Sequence, residues 1–203
     1  MSTRPSSGKQ TNKSKDKRST AEHRHSEDHE QRNLDDAVAY FTNEDSSTKV
    51  RNNLPLSLSL ETIENQAKDN GLGTEHIEAL VEVAASSRFP DSVNIRLIKS
   101  LIPNDKVTAE SFLTAVSWMC TNKPSSNVQS MLIRWMIIVY DLVEEQQKVQ
   151  TLYGMIFFFT ENETMCPHVC QLLYLMTRKE DVRMFRIRHL LNLQLKMVNY
   201  CEL

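Results

Sequence analysis

The sequence is poor in the residues and patterns that build β-sheets. Only four glycines occur among 203 residues, and the alternation of apolar and polar residues that marks a half-buried strand is rare. From residue 57 onward, apolar residues recur instead at intervals of three and four, as they do on one face of an α-helix. We therefore predict an all-α protein.

Long hydrophobic runs are also missing. The most apolar stretch, Met131 to Val143, is interrupted by Arg134 and Asp141, and it is shorter than the roughly 20 residues that a membrane-spanning helix needs. The N-terminal sequence MSTRPSSGKQTNKSKDKRS has no apolar core of the kind found in secretory signals. We expect a reducing compartment and no contact with a membrane.

Cysteine is present but does not form a recognisable metal site. Cys166 and Cys170 are one helical turn apart, and His168 between them lies on another face. A structural zinc ion needs a second pair of ligands, and the one His-x-x-x-His spacing, from His25 to His29, lies in the polar N-terminal tail. Cys120 and Cys201 lie in other apolar segments, so we interpret the thiols as small packing groups. No catalytic residue, metal, cofactor or small-molecule substrate is predicted.

Charge is distributed unevenly, although the formal net charge is only −2. Residues 1–33 are rich in Ser, Lys, Arg, Asp, Glu and His and contain almost nothing apolar, so we predict a disordered tail. Within it, Lys13 to Arg18 could serve as a nuclear import signal, although short basic clusters are common in solvated tails. Without a global basic field, nucleic acid is not the expected main partner.

The remainder divides into three parts. Residues 34–56 are predicted to form a short helix, with Leu34, Val38 and Phe41 on one stripe, followed by a linker. Residues 57–197 are predicted to be a helical-repeat domain, and residues 198–203 an atypical C-terminal end. Helix pairs begin near Thr74, Thr108, Gln146 and Asp181, a period of roughly 35 to 40 residues that suits a HEAT- or armadillo-like solenoid. A compact bundle is the alternative.

Two candidate partner-binding surfaces follow from composition. The consecutive residues Phe157, Phe158 and Phe159 must point in three directions on a helix, so one of them can face outward although core packing is the default reading. The second candidate is the basic run from Arg178 to Arg188, in which we single out the three residues Arg183, Arg186 and Arg188.

The basic run has three possible interpretations. It can face an acidic protein partner, it can contact DNA or chromatin weakly through phosphate groups, or it can be a solvated face with local ion pairs to Glu180 and Asp181. A DNA- or chromatin-contacting helical module that uses this ridge is therefore the alternative to a protein-binding scaffold.

Several segments in order resemble a known family. They are Thr114–Cys120 (TAVSWMC), Arg134–Trp135, Leu152–Phe159 (LYGMIFFF), Cys166–Leu175 (CPHVCQLLYL) and Phe185–Gln194 (FRIRHLLNLQ). Together they are similar to the N-terminal region of the centromere protein I (Mis6) family, with a likeness that is dense from about Leu72 to Met197. Members of that family are longer, and residues 198–203 look unlike the expected continuation.

This resemblance implies a fold, a place and partners. The fold is a HEAT-like helical scaffold, and the place is the nucleus, at the centromere and kinetochore of the chromosome. There it would be part of the constitutive centromere-associated network of the inner kinetochore. The implied partners are centromere proteins H, K and M, and the family has no catalytic residues to carry over. On this basis we expect a non-catalytic scaffold that supports kinetochore assembly and chromosome segregation.

Overall fold

The structure, a computed structural model, describes residues 29–43 and 53–201, with side chains described up to residue 196. Within these ranges the chain is built from α-helices joined by short loops, and no strand is formed. The α-helices are α1 (29–43), α2 (Leu54–Asp69), α3 (Thr74–Ala85), α4 (Asp91–Lys99), α5 (Ala109–Cys120), α6 (Ser126–Val139), α7 (Gln146–Gln150), α8 (Tyr153–Phe158), α9 (Cys166–Met176) and α10 (Met184–Cys201). Three short 3-10 helices follow α6, α8 and α9, at Tyr140–Leu142, Phe159–Glu161 and Lys179–Asp181.

The helices form two layers. Helix α3 packs against α5, and α5 against α7, whereas the other layer runs from α2 through α4 and α6 to α9. Contacts between α3 and α4, and between α5 and α6, join the two layers within each helix pair. Each pair therefore contacts the pairs next to it in sequence, which is the packing of a solenoid. The predicted all-α, HEAT-like helical repeat is confirmed.

Side-chain hydrogen bonds connect equivalent places in successive repeats. The indole N–H of Trp135 donates to the Leu101 carbonyl at 2.9 Å, and that of Trp118 donates to the Glu82 carboxylate at 2.8 Å. These and several further bonds join residues 30 to 36 positions apart, one repeat along the chain. The repeat that the helix rhythm predicted is thus also present in the polar contacts.

The first described helix closes one end of the array. Leu34, Val38 and Phe41 of α1 are buried, as their spacing predicted. The Phe41 ring meets that of Phe89 edge-on at 5.3 Å between centroids. Helix α1 already covers residues 29–33, which were assigned to the tail, and the prediction for residues 1–28 lies outside the described residues.

Helix α2 begins earlier than expected, at Leu54 rather than Ser57. The side chain of Asn53 accepts a hydrogen bond from the Leu56 N–H at 3.1 Å and so caps the helix. Pro55 falls within the linker that was predicted to end at residue 56. It lies instead in the first helical turn, where a missing N–H costs no intrahelical bond.

The segment from Gln146, where a helix pair was predicted to begin, to Phe158 forms two short helices. The Thr151 hydroxyl donates to the Lys148 carbonyl at 2.6 Å, and the N–H groups of Thr151 and Leu152 bond three residues back. This tightening of the turn ends α7 and lets the chain change direction before α8. The final helix, predicted to begin near Asp181, starts at Met184 and runs to Cys201. Among the described residues, none of the helices combines the length and apolar character required to traverse a bilayer.

Gly71 lies where two successive loops touch. Its φ of +74° is in the left-handed region that favours glycine. The neighbouring Leu72 N–H donates to the Ile102 carbonyl at 2.7 Å, and the Asn104 N–H donates to the Leu72 carbonyl at 3.0 Å. A Cβ atom on Gly71 would lie 2.9 Å from the backbone of Asn104, so a side chain there conflicts with both the backbone angle and the loop contact.

We predict that Gly71→Ala destabilises the chain by about 2 kcal/mol or more, since left-handed strain of about 1 to 2 kcal/mol adds to a backbone clash. The matched control is Gly154→Ala, because Gly154 lies in α8 and an added Cβ there meets nothing within 4 Å. That change should be neutral or stabilising by up to about 1 kcal/mol. Urea unfolding measures both, and equal midpoints would contradict the role assigned to Gly71.

Candidate protein-interaction surface

The three consecutive phenylalanines are divided between core and surface. Phe157 and Phe159 are 9% and 8% exposed, whereas Phe158 is 66% exposed. Successive helical side chains point about 100° apart, so a run of three cannot face one way. Phe157 and Phe159 are therefore corrected from partner-binding candidates to core residues, and Phe158 alone is accessible.

Phe158 borders a cavity of about 400 Å³ between the end of α5, the start of α6 and the segment that joins α8 to α9. Phe159 and Met165 contribute its apolar wall, and Glu161 and Asn162 contribute polar groups. The neighbouring Gln129 is fixed, because its amide donates to the Pro124 carbonyl at 2.8 Å. This combination of apolar walls and few polar groups suits a side chain of a partner protein.

The cysteine pair has the geometry of packing groups. The two sulfur atoms of Cys166 and Cys170 are 3.9 Å apart, and Cys166 is buried whereas Cys170 lies at the surface. The Cys170 sulfur is nevertheless partly shielded from water. This desolvation, followed by the effect of the neighbouring Cys166, raises the pKa of the Cys170 thiol to about 11. The thiol is thus protonated and poorly nucleophilic at neutral pH. Within the described ranges, no three His, Cys, Asp or Glu side chains are grouped so that they could hold a metal.

Arg186, a candidate partner-binding residue of the basic run, is turned inward and follows the local ion-pair interpretation, since its Nη1 lies 3.4 Å from Oδ1 of Asp181. Its side chain is only 18% exposed. The guanidinium donates to the Asp181 carbonyl at 2.7 Å and lies over the ring of Tyr153, 4.5 Å from its centroid. It also lies 5.7 Å from the centroid of Phe157. Arg186 therefore stabilises the attachment of α10 and is not available to an acidic partner.

Helix α10 meets the array through one face. Arg186, His189 and Leu193 are its half-buried residues, three and four positions apart. The His189 ring lies 5.3 Å from that of Phe157, and its Nε2 is 3.0 Å from the Thr160 hydroxyl oxygen. Because the Thr160 hydroxyl already donates to the Phe157 carbonyl, it accepts a hydrogen bond from Nε2–H. This face is held by polar and aromatic contacts more than by aliphatic packing.

The opposite face of α10 is apolar and exposed. We call it the outer stripe and define it as Met184, Ile187, Leu191 and Leu195, which are 64%, 38%, 53% and 63% exposed. Their spacing of three, four and four places them on one side of the helix. The sequence analysis used this segment for its charges and its family resemblance and did not predict an exposed apolar face, although the spacing of the four residues is visible in the sequence.

Arg183 and Arg188 flank the outer stripe and are exposed, as predicted for the basic run. The Arg183 carbonyl accepts from the Ile187 N–H at 3.1 Å, so Arg183 lies one turn before Ile187. Arg188 follows Met184 by four positions and precedes Leu191 by three, which makes it their neighbour on the helix surface. Neither arginine forms an ion pair with an acidic side chain among the residues whose positions are described.

These features define a class of protein: a HEAT-like helical array whose accessible surfaces suit contacts with other proteins. Comparison with known proteins then gives the family. The CENP-I (Mis6) family model matches residues 1–203, and this chain belongs to that family.

Relatives show how far the likeness extends. Centromere protein I of Gallus gallus is 41% identical over 170 residues, which cover 84% of this chain and 23% of that protein. The inner kinetochore subunit mis6 of Schizosaccharomyces pombe is 28% identical over 147 residues, which cover 70% of this chain and 22% of that protein. The chain thus spans about a quarter of the length of the curated relatives it matches.

Solved structures agree with the fold. A crystal structure of centromere protein CENP-I superposes with a TM-score of 0.71, covering 81% of this chain and 77% of that one, at 23% identity. A structure of the CENP-H/I/K triple complex matches over the same shares with a TM-score of 0.72. At this identity the likeness establishes the helical array.

The attachment of α10 can be tested through Arg186. Replacing it as Arg186→Gln removes a cation–π contact worth about 0.5 to 2 kcal/mol and a hydrogen bond worth about 1 kcal/mol. We expect backbone amides of α10 to exchange with deuterium about tenfold faster or more, while those of α3 to α6 are unchanged. The control is the exposed Arg188→Gln, which removes the same charge. Equal exchange of α10 in both variants would contradict the anchoring role.

Proposed function

We propose that this chain is a scaffold of the inner kinetochore that docks centromere proteins H and K along its helical array, in the nucleus at the centromere. Membership of the CENP-I (Mis6) family supports this role, as does the shared fold with the subunit solved in the H/I/K complex. Centromere protein M, which the family resemblance implies, belongs to the same proposal as a third partner.

We further infer that the chain acts by binding and not by catalysis. Its polar side chains connect repeats or cap helices, as the bonds of Trp118, Ser125 and Trp135 illustrate. The thiol of Cys170 is held protonated and that of Cys166 is buried. Exposed apolar groups such as Phe158 and the outer stripe are typical of sites that other proteins cover.

Contact with DNA is the second candidate function, and it is supported by fewer exposed basic residues than the sequence predicted. With Arg186 turned inward, the exposed cations of the run are Arg178, Lys179, Arg183 and Arg188, and Glu180 and Asp181 lie among them. Binding to phosphates would weaken steeply with salt, whereas docking through apolar faces would not.

The proposed role predicts co-assembly. Purified chain mixed with a co-purified pair of centromere proteins H and K should elute from a size-exclusion column as one complex at micromolar concentration, and it should remain one in 0.5 M salt. The expected result reflects apolar burial, which salt does not screen. A chain that elutes alone at every salt concentration would contradict the proposal. Retention on duplex DNA at low salt, without assembly with the pair, would favour the DNA candidate.

We assign Phe158 to the contact with that pair. Phe158→Asp should weaken binding by at least about tenfold, because burying an unpaired carboxylate in an apolar contact is unfavourable. The matched control is Tyr174→Asp on α9, since Tyr174 is 84% exposed and does not line the cavity. Calorimetric titration measures both affinities, and thermal unfolding should show little change for either. An equal loss for both variants would remove Phe158 from the interface.

A further inference from the structure

The cavity beside Phe158 lies where a contact between successive repeats is left open. One repeat earlier, the hydroxyl of Ser125, just before α6, donates to the carboxylate of Asp91, at the start of α4, at 2.6 Å. The corresponding positions one repeat later are Met165, just before α9, and Ser126, at the start of α6. A thioether has no proton to donate. The second junction therefore lacks the bond that closes the first, and Met165 instead lines the cavity of about 400 Å³.

The polar groups of this cavity suit a cation. Its lining includes the carboxylate of Glu161 and no Lys, Arg or His among the described residues. Gln129 is only 6% exposed, and its amide nitrogen already donates to the Pro124 carbonyl. No described residue donates to the carbonyl oxygen of the same amide, which is therefore left as an acceptor. Asn122 also lines the cavity and brings a second neutral amide.

Apolar walls lie beside these acceptors and set the shape of the occupant. Phe158, Phe159 and Met165 supply them. Arginine and lysine bury a methylene stem along such surfaces while the charged head meets polar groups. Arginine fits several acceptors better, because its guanidinium carries five N–H donors in a fixed fork whereas an ammonium is a compact point charge. The volume is at the small end of the range for ligand pockets, so it suits one long side chain.

A later part of the helical array is a poor candidate for the occupant. The cavity lies at the junction between the α5–α6 pair and the α8–α9 pair. A repeat in a solenoid contacts only its neighbours. Helix α10 already packs on α8, since Arg186 and His189 both contact the ring of Phe157. Any further repeat would form the next junction and not this one.

We propose that the cavity captures an arginine side chain of a partner protein. The Glu161 carboxylate pairs with the guanidinium, and the Gln129 carbonyl oxygen accepts a further hydrogen bond from it. The phenylalanine rings and Met165 cover the methylene stem, so Phe158 makes an apolar contact while Glu161 selects the charge. The inference rests on the proposed scaffold role and deepens it by naming the residue type through which a partner engages the Phe158 region.

Cys120 reports directly on occupancy, because its thiol is at the surface and it lines the cavity. The probe is N-acetylarginine amide, and its control at matched salt is N-acetylcitrulline amide, which has the same shape without the charge. At about 50 mM the arginine probe should slow maleimide alkylation of Cys120 about threefold or more, as a fragment with a Kd of about 10 mM would. Citrulline should leave the rate unchanged, and neither probe should affect Cys170, which is exposed outside the cavity. Equal slowing by the two probes, or none by arginine, would overturn the proposal.

Arginines of the chain itself are tested by the same reaction. Changing Arg4, Arg18 and Arg24 of the N-terminal tail to Gln in the full chain should leave the alkylation rate of Cys120 unchanged. A faster rate would mean that the chain fills its own cavity, against the proposal. Sedimentation should find the chain monomeric, and a dimer that Glu161→Gln dissociates would mean that a second copy supplies the arginine, which also contradicts it.

Glu161→Gln tests the site in the complex. It should weaken binding of the pair of centromere proteins H and K by at least about tenfold, because a charge-assisted hydrogen bond is lost. The matched control is Glu163→Gln, which removes the same charge two residues away from an exposed side chain that does not line the cavity. Calorimetric titration measures both affinities. An equal effect of the two changes would show that Glu161 has no special role and would count against arginine capture.

The two proposals fail in different ways. If the H–K pair binds both glutamate variants equally well and arginine does not protect Cys120, the arginine-capture inference is wrong and the scaffold role stands. If arginine but not citrulline protects Cys120 while the H–K pair does not bind the chain, the scaffold assignment is wrong and the arginine site stands.

Discussion

The pairing of successive loops is the constraint on which the rest of this structure depends. Leu72 bonds across to Ile102 and Asn104, and one repeat later Val107 bonds to Leu142 and Glu144, in parallel bridges of two backbone hydrogen bonds each. A helix pair has an apolar face that it cannot bury alone. Fixing the loop of one pair to the loop of the next sets the offset at which those faces meet. Once the loops are fixed, the helices pack in the space between successive loops. Gly71 matters for the whole array because it lies at one of these loop contacts.

A second regularity lies in buried polar groups at the start of α4 and α6. The Asn94 amide donates to the Phe89 carbonyl at 2.6 Å, and one repeat later the Gln129 amide donates to the Pro124 carbonyl at 2.8 Å. Both side chains are buried and both reach five residues back. Each satisfies a carbonyl where the chain turns into a helix, a group that would otherwise be buried unpaired. The repeat is therefore conserved in geometry although the residue identities differ between Asn and Gln.

The sequence predicted the helices and the array because both depend on local periodicity. The buried stripe of Leu34, Val38 and Phe41 needed only spacing. The sequence did not predict those residue roles that depend on contacts with residues far away in the chain. Three phenylalanines in a row do not show which one faces outward, since that depends on where α9 and α10 pack. Arg186 resembles its neighbour Arg188 in sequence, and only the rings of Tyr153 and Phe157 distinguish the two. The outer stripe was visible as a pattern, but its exposure required knowing which face of α10 the array uses.

The two ends of the described array differ in how they are finished. At the N-terminal side, α1 covers the array with buried Leu34, Val38 and Phe41, so apolar area is removed from water there. At the other side, α10 is fixed by Arg186 and His189 and directs Leu191 and Leu195 outward. Burial of aliphatic residues is the main source of stability for a helix packed in such an array. Helix α10 departs from this, because aromatic and hydrogen-bonding contacts of Arg186 and His189 hold the face that meets the array.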